Sequence, residues 1–143
     1  MRYSIEINAS KEKIWEVLWS DPTLRKWAGI IDEGTYLDGE LEEGNEVNFM
    51  SASGYGVTSR VEELVPYQRM VFKQIADVKV SKDGSLERRE KQWEGGLETY
   101  ELKDSQGHIE LSLEQDVPDE LVEYFEKKIP EALECIKTLA EAK

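Results

Sequence analysis

The fold is decided by residues 118–143, which read PDELVEYFEKKIPEALECIKTLAEAK. Apolar side chains recur in this stretch at steps of three and four residues, the spacing that places them on one face of a helix. They are Leu121, Val122, Phe125, Ile129, Ala132, Leu133, Ile136, Leu139 and Ala140. Glutamates and lysines occupy most of the other positions. The stretch is therefore predicted to be one long amphipathic helix with one face for burial.

Two prolines shape this predicted helix. Pro118 suits the first helical position, and the acidic side chains of Asp119 and Glu120 complement the positive end of the helix dipole. Pro130 removes a backbone donor in the middle, so we expect a bend there while the apolar stripe continues in phase. A helix of this length spans roughly 36 to 38 Å at 1.5 Å per residue, which requires a broad sheet as its packing partner.

The amino-terminal part of the chain predicts one strand and two short helices. Residues 2–7 alternate polar and apolar side chains, the period of a half-buried strand. Ser10 is the expected N-cap of a first helix that buries Ile14, Val17 and Leu18. A second helix is expected to start with Asp21 as its cap and to end at about Trp27, before Ala28 and Gly29.

Residues 30–117 carry turn signals and alternating runs that predict six hairpin-linked strands. The strand near residues 70–78 is expected to turn Met70, Phe72, Ala76 and Val78 inward. Residues 79–92 are polar and predict a long hairpin tip, and the glycine pair at positions 95 and 96 predicts a bulge or bend. The predicted fold class is α+β, with a curved antiparallel sheet of about six or seven strands under the terminal helix.

Composition limits the organisation and partners of the protein. Its 143 residues suit a single domain, and a formal net charge of -13 argues against a nucleic-acid groove or an anionic membrane surface. We expect no membrane insertion, because no window approaches the ~20 apolar residues of a span. Cys135 is the only cysteine, which excludes an internal disulfide and favours a cytoplasmic location.

The sequence offers little for catalysis. His108 is the only histidine and follows Gly107 in a predicted turn, so no Ser-His-Asp or Cys-His set is apparent. Metal-ligand spacing and phosphate-loop motifs are absent from the sequence. We therefore predict no catalytic residues, no metal and no cofactor, and consider an enzyme less well supported than a binding protein.

Aromatic side chains are the most distinctive candidates for a site, because ligand pockets are mostly apolar with a few polar anchors. Six of them fall at predicted inward positions or at a cavity mouth: Trp27, Phe49, Phe72, Trp93, Tyr100 and Phe125. Tyr100, Ser59 and Gln74 are possible polar anchors, whereas Arg60 is expected to face water. The same aromatic residues would equally fill a closed core.

Several motifs, in this order, resemble the START-related (SRPBCC) superfamily with its helix-grip fold. They are residues 14–18 (IWEVL), 21–22 (DP), 41–47 (LEEGNEV), 61–72 (VEELVPYQRMVF) and the hairpin 100–113. The match covers essentially the whole chain and is most similar to the branch related to the activator of the 90-kDa heat-shock chaperone ATPase. The resemblance implies a single START-like domain, residues 1–143, with a cavity between the sheet and the terminal helix.

Three functions are consistent with this resemblance. The first is binding of a small apolar or amphipathic molecule in that cavity. The second is a protein-interaction module that acts as a co-chaperone-like activator of the heat-shock chaperone ATPase, with the acidic surface as its docking face. The third is a cavity enzyme resembling cyclases and dehydratases, with Tyr100 or an acidic residue as acid or base. Fold alone does not choose among them.

Overall fold

The computed structural model describes residues 1–90 and 96–142. Its helices in this part of the chain are α1 (Lys11–Trp19), α2 (Asp21–Ile31) and α3 (Asp119–Glu141). Its strands are β1 (Arg2–Ile7), β2 (Tyr36–Asp38), β3 (Glu46–Met50), β4 (Tyr55–Val65), β5 (Arg69–Val80), β6 (Leu86–Glu90), β7 (Leu97–Ser105) and β8 (His108–Gln115). The order of elements confirms the predicted α+β class with two short helices after β1 and one long helix after the last strand.

The strands form one antiparallel sheet in the order β1-β8-β7-β5-β4-β3-β2, with β6 paired to β5 outside this path. β7 pairs with the first half of β5, Arg69–Lys73, whereas β6 pairs with its second half, Ala76–Val80. The sheet therefore has eight described strands, one more than the six or seven expected. Its curled form under α3 confirms the helix-grip fold.

Two bulges between β4 and β5 interrupt the regular register of the sheet. On β5, Ile75 is skipped between the pairs Ser59–Gln74 and Thr58–Ala76, and on β4 Glu62 is skipped. An extra residue bends the strand and reverses the facing of the side chains that follow it. This curls the sheet at the place where the cavity lies.

The bulge at Ile75 corrects the predicted facing of β5. Met70 and Phe72 belong to the main hydrophobic cluster, as the alternation predicted. Ala76 and Val78 are buried outside that cluster. Asp77 lies on the cavity side of the strand, where a regular alternation would have placed Ala76 and Val78. The uninterrupted period of two was wrong for the second half of this strand.

The first helix forms as the sequence predicts. Ser10 is the N-cap of α1, and its hydroxyl accepts a hydrogen bond from the Lys13 amide at 3.1 Å. Ile14, Val17 and Leu18 are buried on one face of this helix.

Helix α2 is longer than predicted. Its N-cap is Ser20 rather than Asp21, and it continues through Gly29 to Ile31 instead of ending near Trp27. A glycine inside a helix costs about 1 kcal/mol relative to alanine. Ile30 and Ile31 pack against the hydrophobic cluster, and this burial offsets the cost of Gly29.

Helix α3 runs without interruption through Pro130. Pro118, which was expected at the first helical position, is instead the N-cap residue. The second half of α3 is tied to β1 because Lys137 Nζ donates to the Glu6 carbonyl oxygen at 2.8 Å. Ile129, Ala132, Leu133, Ile136 and Ala140 are buried there. In the first half, Leu121 remains 42% exposed, so the two halves of the apolar stripe have different surroundings. The bend at Pro130 stays a prediction.

The polar segment 79–92 differs from the predicted long hairpin tip. Strand β5 continues to Val80, residues 81–85 form the turn, and β6 pairs back along β5. Arg88 of β6 lies 3.3 Å from the Glu46 carboxylate on β3. Polar side chains do not prevent a strand when the backbone completes a ladder of hydrogen bonds. The predicted bulge at Gly95 and Gly96 includes a residue outside the described part of the chain.

The main hydrophobic cluster lies between the concave side of the sheet and the three helices. Its fully buried members include Ile7, Leu18, Phe72 and Leu111, which come from the beginning, the middle and the later part of the chain. Among the described residues, no helix is both long and apolar enough to cross a membrane.

Candidate ligand-binding cavity

A cavity of about 440 Å³, partly open to solvent, lies under the first half of α3. Its walls come from α2, strands β3, β4, β5 and β7, and the segment between β8 and α3. Tyr124 helps to fix the rim, because its hydroxyl donates to the Ile31 carbonyl oxygen and so joins α3 to the end of α2. The hydrogen bond that ties α3 to β1, from Lys137 to the Glu6 carbonyl oxygen, lies in the second half of the helix, away from the cavity.

The structure brings four of the six predicted aromatic residues together in the wall of this cavity. They are Trp27, Phe49, Tyr100 and Phe125. Trp27 is 4% exposed, and its indole N–H donates to the Leu18 carbonyl oxygen at 3.1 Å, which fixes the orientation of the ring. Trp93 lies outside the described residues. Whether the four contact a ligand stays a prediction.

Phe72 does not line the cavity. Its side chain is fully buried, with ring centroids 5.2 Å from Phe49 and 5.5 Å from Trp19. Trp19 also meets Tyr100, at a centroid distance of 4.9 Å, in an edge-to-face arrangement. Phe72 and Trp19 thus form a second aromatic layer that supports the cavity wall from behind. Sequence alternation identified Phe72 as inward-facing but could not separate the two layers.

Buried Tyr100 and half-buried Glu98 form a hydrogen-bonded pair in the cavity wall. They lie two residues apart on β7, so their side chains share one face, and the Tyr100 hydroxyl donates to Glu98 Oε1. Burial raises the pKa of Tyr100 well above its usual range, and the Glu98 charge and this hydrogen bond raise it further. A phenol with so high a pKa keeps its proton at neutral pH and is a poor general base. This argues against Tyr100 as the base of a cavity enzyme.

The raised pKa of Tyr100 predicts a loss of stability in alkali. A folded-state pKa above the unfolded value of about 10 stabilises the native state at lower pH, and that contribution is lost as pH rises from 10 towards the folded value. We expect the free energy of unfolding to fall above about pH 10 and Tyr100→Phe to reduce this decline. Urea unfolding at several pH values in the alkaline range measures this fall in the free energy of unfolding. Tyr55→Phe, at an exposed tyrosine, is the control that should keep the decline, and identical slopes for wild type and Tyr100→Phe would contradict the prediction.

The predicted polar anchors Ser59 and Gln74 also line the cavity. They are directly paired across β4 and β5, and Ser59 is 2% exposed. The Gln74 Oε1 atom is buried and accepts no hydrogen bond from the described residues. Such an acceptor costs free energy unless a donor reaches it, so it is suited to a ligand donor. Arg60 faces away, as predicted, and binds the Glu62 carboxylate at 2.7 Å.

Carboxylates are the lining residues that sequence reasoning missed. The cavity wall and rim contain five of them: Asp32, Asp77, Glu98, Asp116 and Glu120. Acidic residues are so frequent in this sequence, 31 of 143, that no single carboxylate stands out as a candidate lining residue. The position of Glu98 in the cavity wall could have been predicted, since it lies two positions before Tyr100 on the same strand. The sequence did not indicate Asp77, because the bulge at Ile75 places this exposed residue on the cavity side of β5.

The nucleophile candidates stay apart from the cavity. His108 is exposed at the start of β8, and Cys135 is a half-buried free thiol on α3. Burial raises the pKa of the Cys135 thiol, which disfavours the reactive thiolate. The described residues also contain no cluster of His, Cys, Asp and Glu suited to a metal ion.

A curled antiparallel sheet gripping a long carboxyl-terminal helix, with a cavity between them, defines a helix-grip protein of the START-like class. The chain belongs to the family described as activator of Hsp90 ATPase homolog 1-like protein, whose model matches residues 8–141. Among curated proteins, none matches the chain.

Solved structures support the fold. The Aha1 dimer from Colwellia psychrerythraea is 19% identical with a TM-score of 0.70, and the match covers 99% of this chain and 95% of that one. Protein CV1439 from Chromobacterium violaceum is 20% identical with a TM-score of 0.72, over 100% and 98% of the two chains. DynU16, from the dynemicin biosynthetic locus, is 13% identical with a TM-score of 0.73 over 99% of this chain. The match spans 47% of DynU16 itself. At these identities the similarities concern the fold.

Proposed function

We propose that this chain acts as a single START-like domain that binds a small apolar or amphipathic molecule in the cavity under α3. The observation that carries the proposal is a partly open cavity of about 440 Å³ with four aromatic side chains in its wall. Ligand pockets commonly measure about 300 to 1,000 Å³ and combine apolar walls with a few polar groups. Trp27, Phe49 and Phe125 supply the apolar contacts, and Tyr100, Ser59 and Gln74 supply the polar ones.

A closed aromatic core is the alternative that this cavity argues against. In a closed core, the first half of α3 would bury its apolar stripe as deeply as the second half does. Instead Leu121 is 42% exposed and Phe125 is half-buried, whereas Ile129 and Ile136 are 2% and 1% exposed. The apolar surface left beside the cavity is the surface that a ligand would cover.

Native mass spectrometry of the purified protein tests the proposal. We expect the native mass to exceed the denatured mass by that of a small molecule, which extraction would then identify. Protein that arrives empty should instead take up an added apolar probe such as 2-(2-naphthyl)ethanol. The proposal fails if the native and denatured masses agree and the empty protein takes up no probe of this size.

Activation of an Hsp90-type ATPase is a second candidate, and the family match is the observation that favours it. The test is the ATPase rate of an Hsp90-type chaperone from the same source with and without this protein. A rate increase that disappears at high salt would support docking through the acidic surface, which carries the formal net charge of -13. An unchanged rate, with no salt-sensitive complex, would remove this candidate.

A further inference from the structure

Strand β1 forms one edge of the sheet. It pairs with β8 on one side, and no other described strand pairs with its outer side. Its register with β8 is regular from Arg2–Glu114 to Ile7–Ile109, without a bulge. Edge strands of natural proteins are usually very short, bulged or covered, because their free backbone groups can pair with another chain. The opposite edge, β2, is only three residues long, whereas β1 is neither short nor bulged.

The hydrogen bonds at the start of β1 show which of its backbone groups face outward. Met1 and Gln115 exchange both of their backbone hydrogen bonds, each at 2.9 Å. In an antiparallel pair this pattern repeats every second residue. The odd-numbered residues of β1 therefore bond to β8, whereas the N–H and C=O groups of the even-numbered ones, Arg2, Ser4 and Glu6, point outward.

Helix α3 covers only one end of this outer edge. Lys137 Nζ donates to the Glu6 carbonyl oxygen at 2.8 Å, and the Glu141 carboxylate accepts from the Asn8 amide at 2.8 Å. Nearer the amino terminus, the outward N–H and C=O groups at positions 2 and 4 have no hydrogen-bond partner among the described residues. This part of the edge is free to pair with another strand.

The side chains along the edge are complementary to themselves. When two copies of β1 pair antiparallel about Ser4, Arg2 of each copy lies opposite Glu6 of the other, and both side chains are on the exposed face. On the other face, half-buried Tyr3 lies opposite Ile5, an aromatic and β-branched pair at the closer, non-hydrogen-bonded position. Opposite charges and such apolar pairs both stabilise neighbouring strands.

From these observations we infer that the outer edge of β1 is an interaction surface for a second copy of this chain, which pairs with it antiparallel about Ser4. This register uses all three outward residues. The Glu6 carbonyl oxygen has a second lone pair, so it accepts from Arg2 of the second copy while it keeps Lys137. Charged side chains on an edge normally oppose pairing, but a spacing of four residues brings opposite charges together here.

The dimer is expected to be weak. Two copies with a net charge of -13 each repel one another, and a contact between two short strands belongs to the small class of interfaces, below about 1,200 Å². At about 0.15 M ionic strength the Debye length is about 8 Å, so most of the repulsion between distant charges is screened. We expect a dissociation constant below about 1 mM under these conditions.

Analytical ultracentrifugation of the full chain and of two charge variants tests the inference. Arg2→Glu places like charges opposite each other in both symmetric pairs and should raise the dissociation constant of the dimer about tenfold. Glu6→Arg should also raise it about tenfold. The double variant that exchanges the two charges should return it to within about twofold of wild type. The single variants change the net charge in opposite directions, so a general charge effect would shift the two constants in opposite directions.

Ser4→Pro tests the backbone pairing separately. It removes the outward N–H of Ser4 and leaves the ladder between β1 and β8 intact, which is where an edge strand accepts proline. We expect the dissociation constant to rise at least tenfold while circular dichroism and thermal unfolding stay near those of wild type. Ser4→Thr keeps the N–H group and is the control that should still form the dimer.

The inference does not depend on ligand binding in the cavity. A chain that stays monomeric up to about 1 mM overturns it. A dimer that neither single charge variant weakens forms through another surface, which also overturns it. Opposite shifts for Arg2→Glu and Glu6→Arg would assign association to net charge and would contradict β1 pairing. Weakening by both single variants, with recovery in the double variant, supports it.

Discussion

Phe72→Ala is expected to lower the free energy of unfolding by about 3–5 kcal/mol, the cost of truncating an aromatic side chain in a packed core. Phe72 is 0% exposed and is enclosed by rings on several sides, including Phe49, Trp19 and Tyr100. Its removal leaves a void behind the cavity wall that the curled sheet cannot easily close. Urea or guanidinium unfolding measures the loss.

Phe125→Ala is the matched control for this prediction. It removes the same side chain from a half-buried position that faces the cavity, so fewer packing contacts are lost. We expect less than half of the destabilisation seen for Phe72→Ala, together with weaker binding of 2-(2-naphthyl)ethanol. Equal destabilisation by the two variants would mean that the cavity is part of a closed core in solution.

Val57→Trp is expected to reduce binding of 2-(2-naphthyl)ethanol by about tenfold or more, which corresponds to about 1.4 kcal/mol. Val57 is half-buried, and it is paired with Phe49 on β3 and with Asp77 on β5, both of which line the cavity. A bulky ring at this position occupies the space that the probe needs. Fluorescence or calorimetric titration of the folded variant gives the affinity.

Val80→Trp provides the control for that substitution. Val80 is 39% exposed at the end of β5 and does not line the cavity. The same change there should leave probe binding within about twofold of wild type, since a surface substitution usually shifts a free energy by less than about 0.5 kcal/mol. If Val57→Trp folds normally and binds the probe as wild type does, the ligand occupies another site.

The fold followed from signals that are local in sequence. Ser10 caps α1 because a serine before an apolar-periodic run can accept from the first free amides, and the α3 stripe repeats long enough to exclude a strand. The end of α2 was misplaced because Gly29 is a stop signal by itself. Only the tertiary packing of Ile30 and Ile31 shows why the helix continues.

The candidate site was predicted less completely, because its two decisive features are not local. Alternation places Phe49, Phe72 and Tyr100 on the inner face, but the depth of each ring depends on how far α3 stands from the sheet. No glycine or proline lies beside Ile75 to indicate the bulge, so the sequence could not predict that Asp77 lies on the cavity side of β5. Aromatic residues were therefore found, while the acidic lining was missed.

The contacts of β1 with the last strand, β8, and with the last helix, α3, also affect how the chain folds during synthesis. Glu6 and Lys137, joined by a hydrogen bond, are 131 positions apart. At roughly 5 to 20 residues per second, a ribosome needs roughly 7 to 26 s to make the partner of Glu6 after Glu6 itself. Until then the apolar side of β1 is exposed in the nascent chain, where it is a target for holding chaperones. Folding of the complete chain should also be slow for its size, because such distant contacts carry a high loop-closure cost.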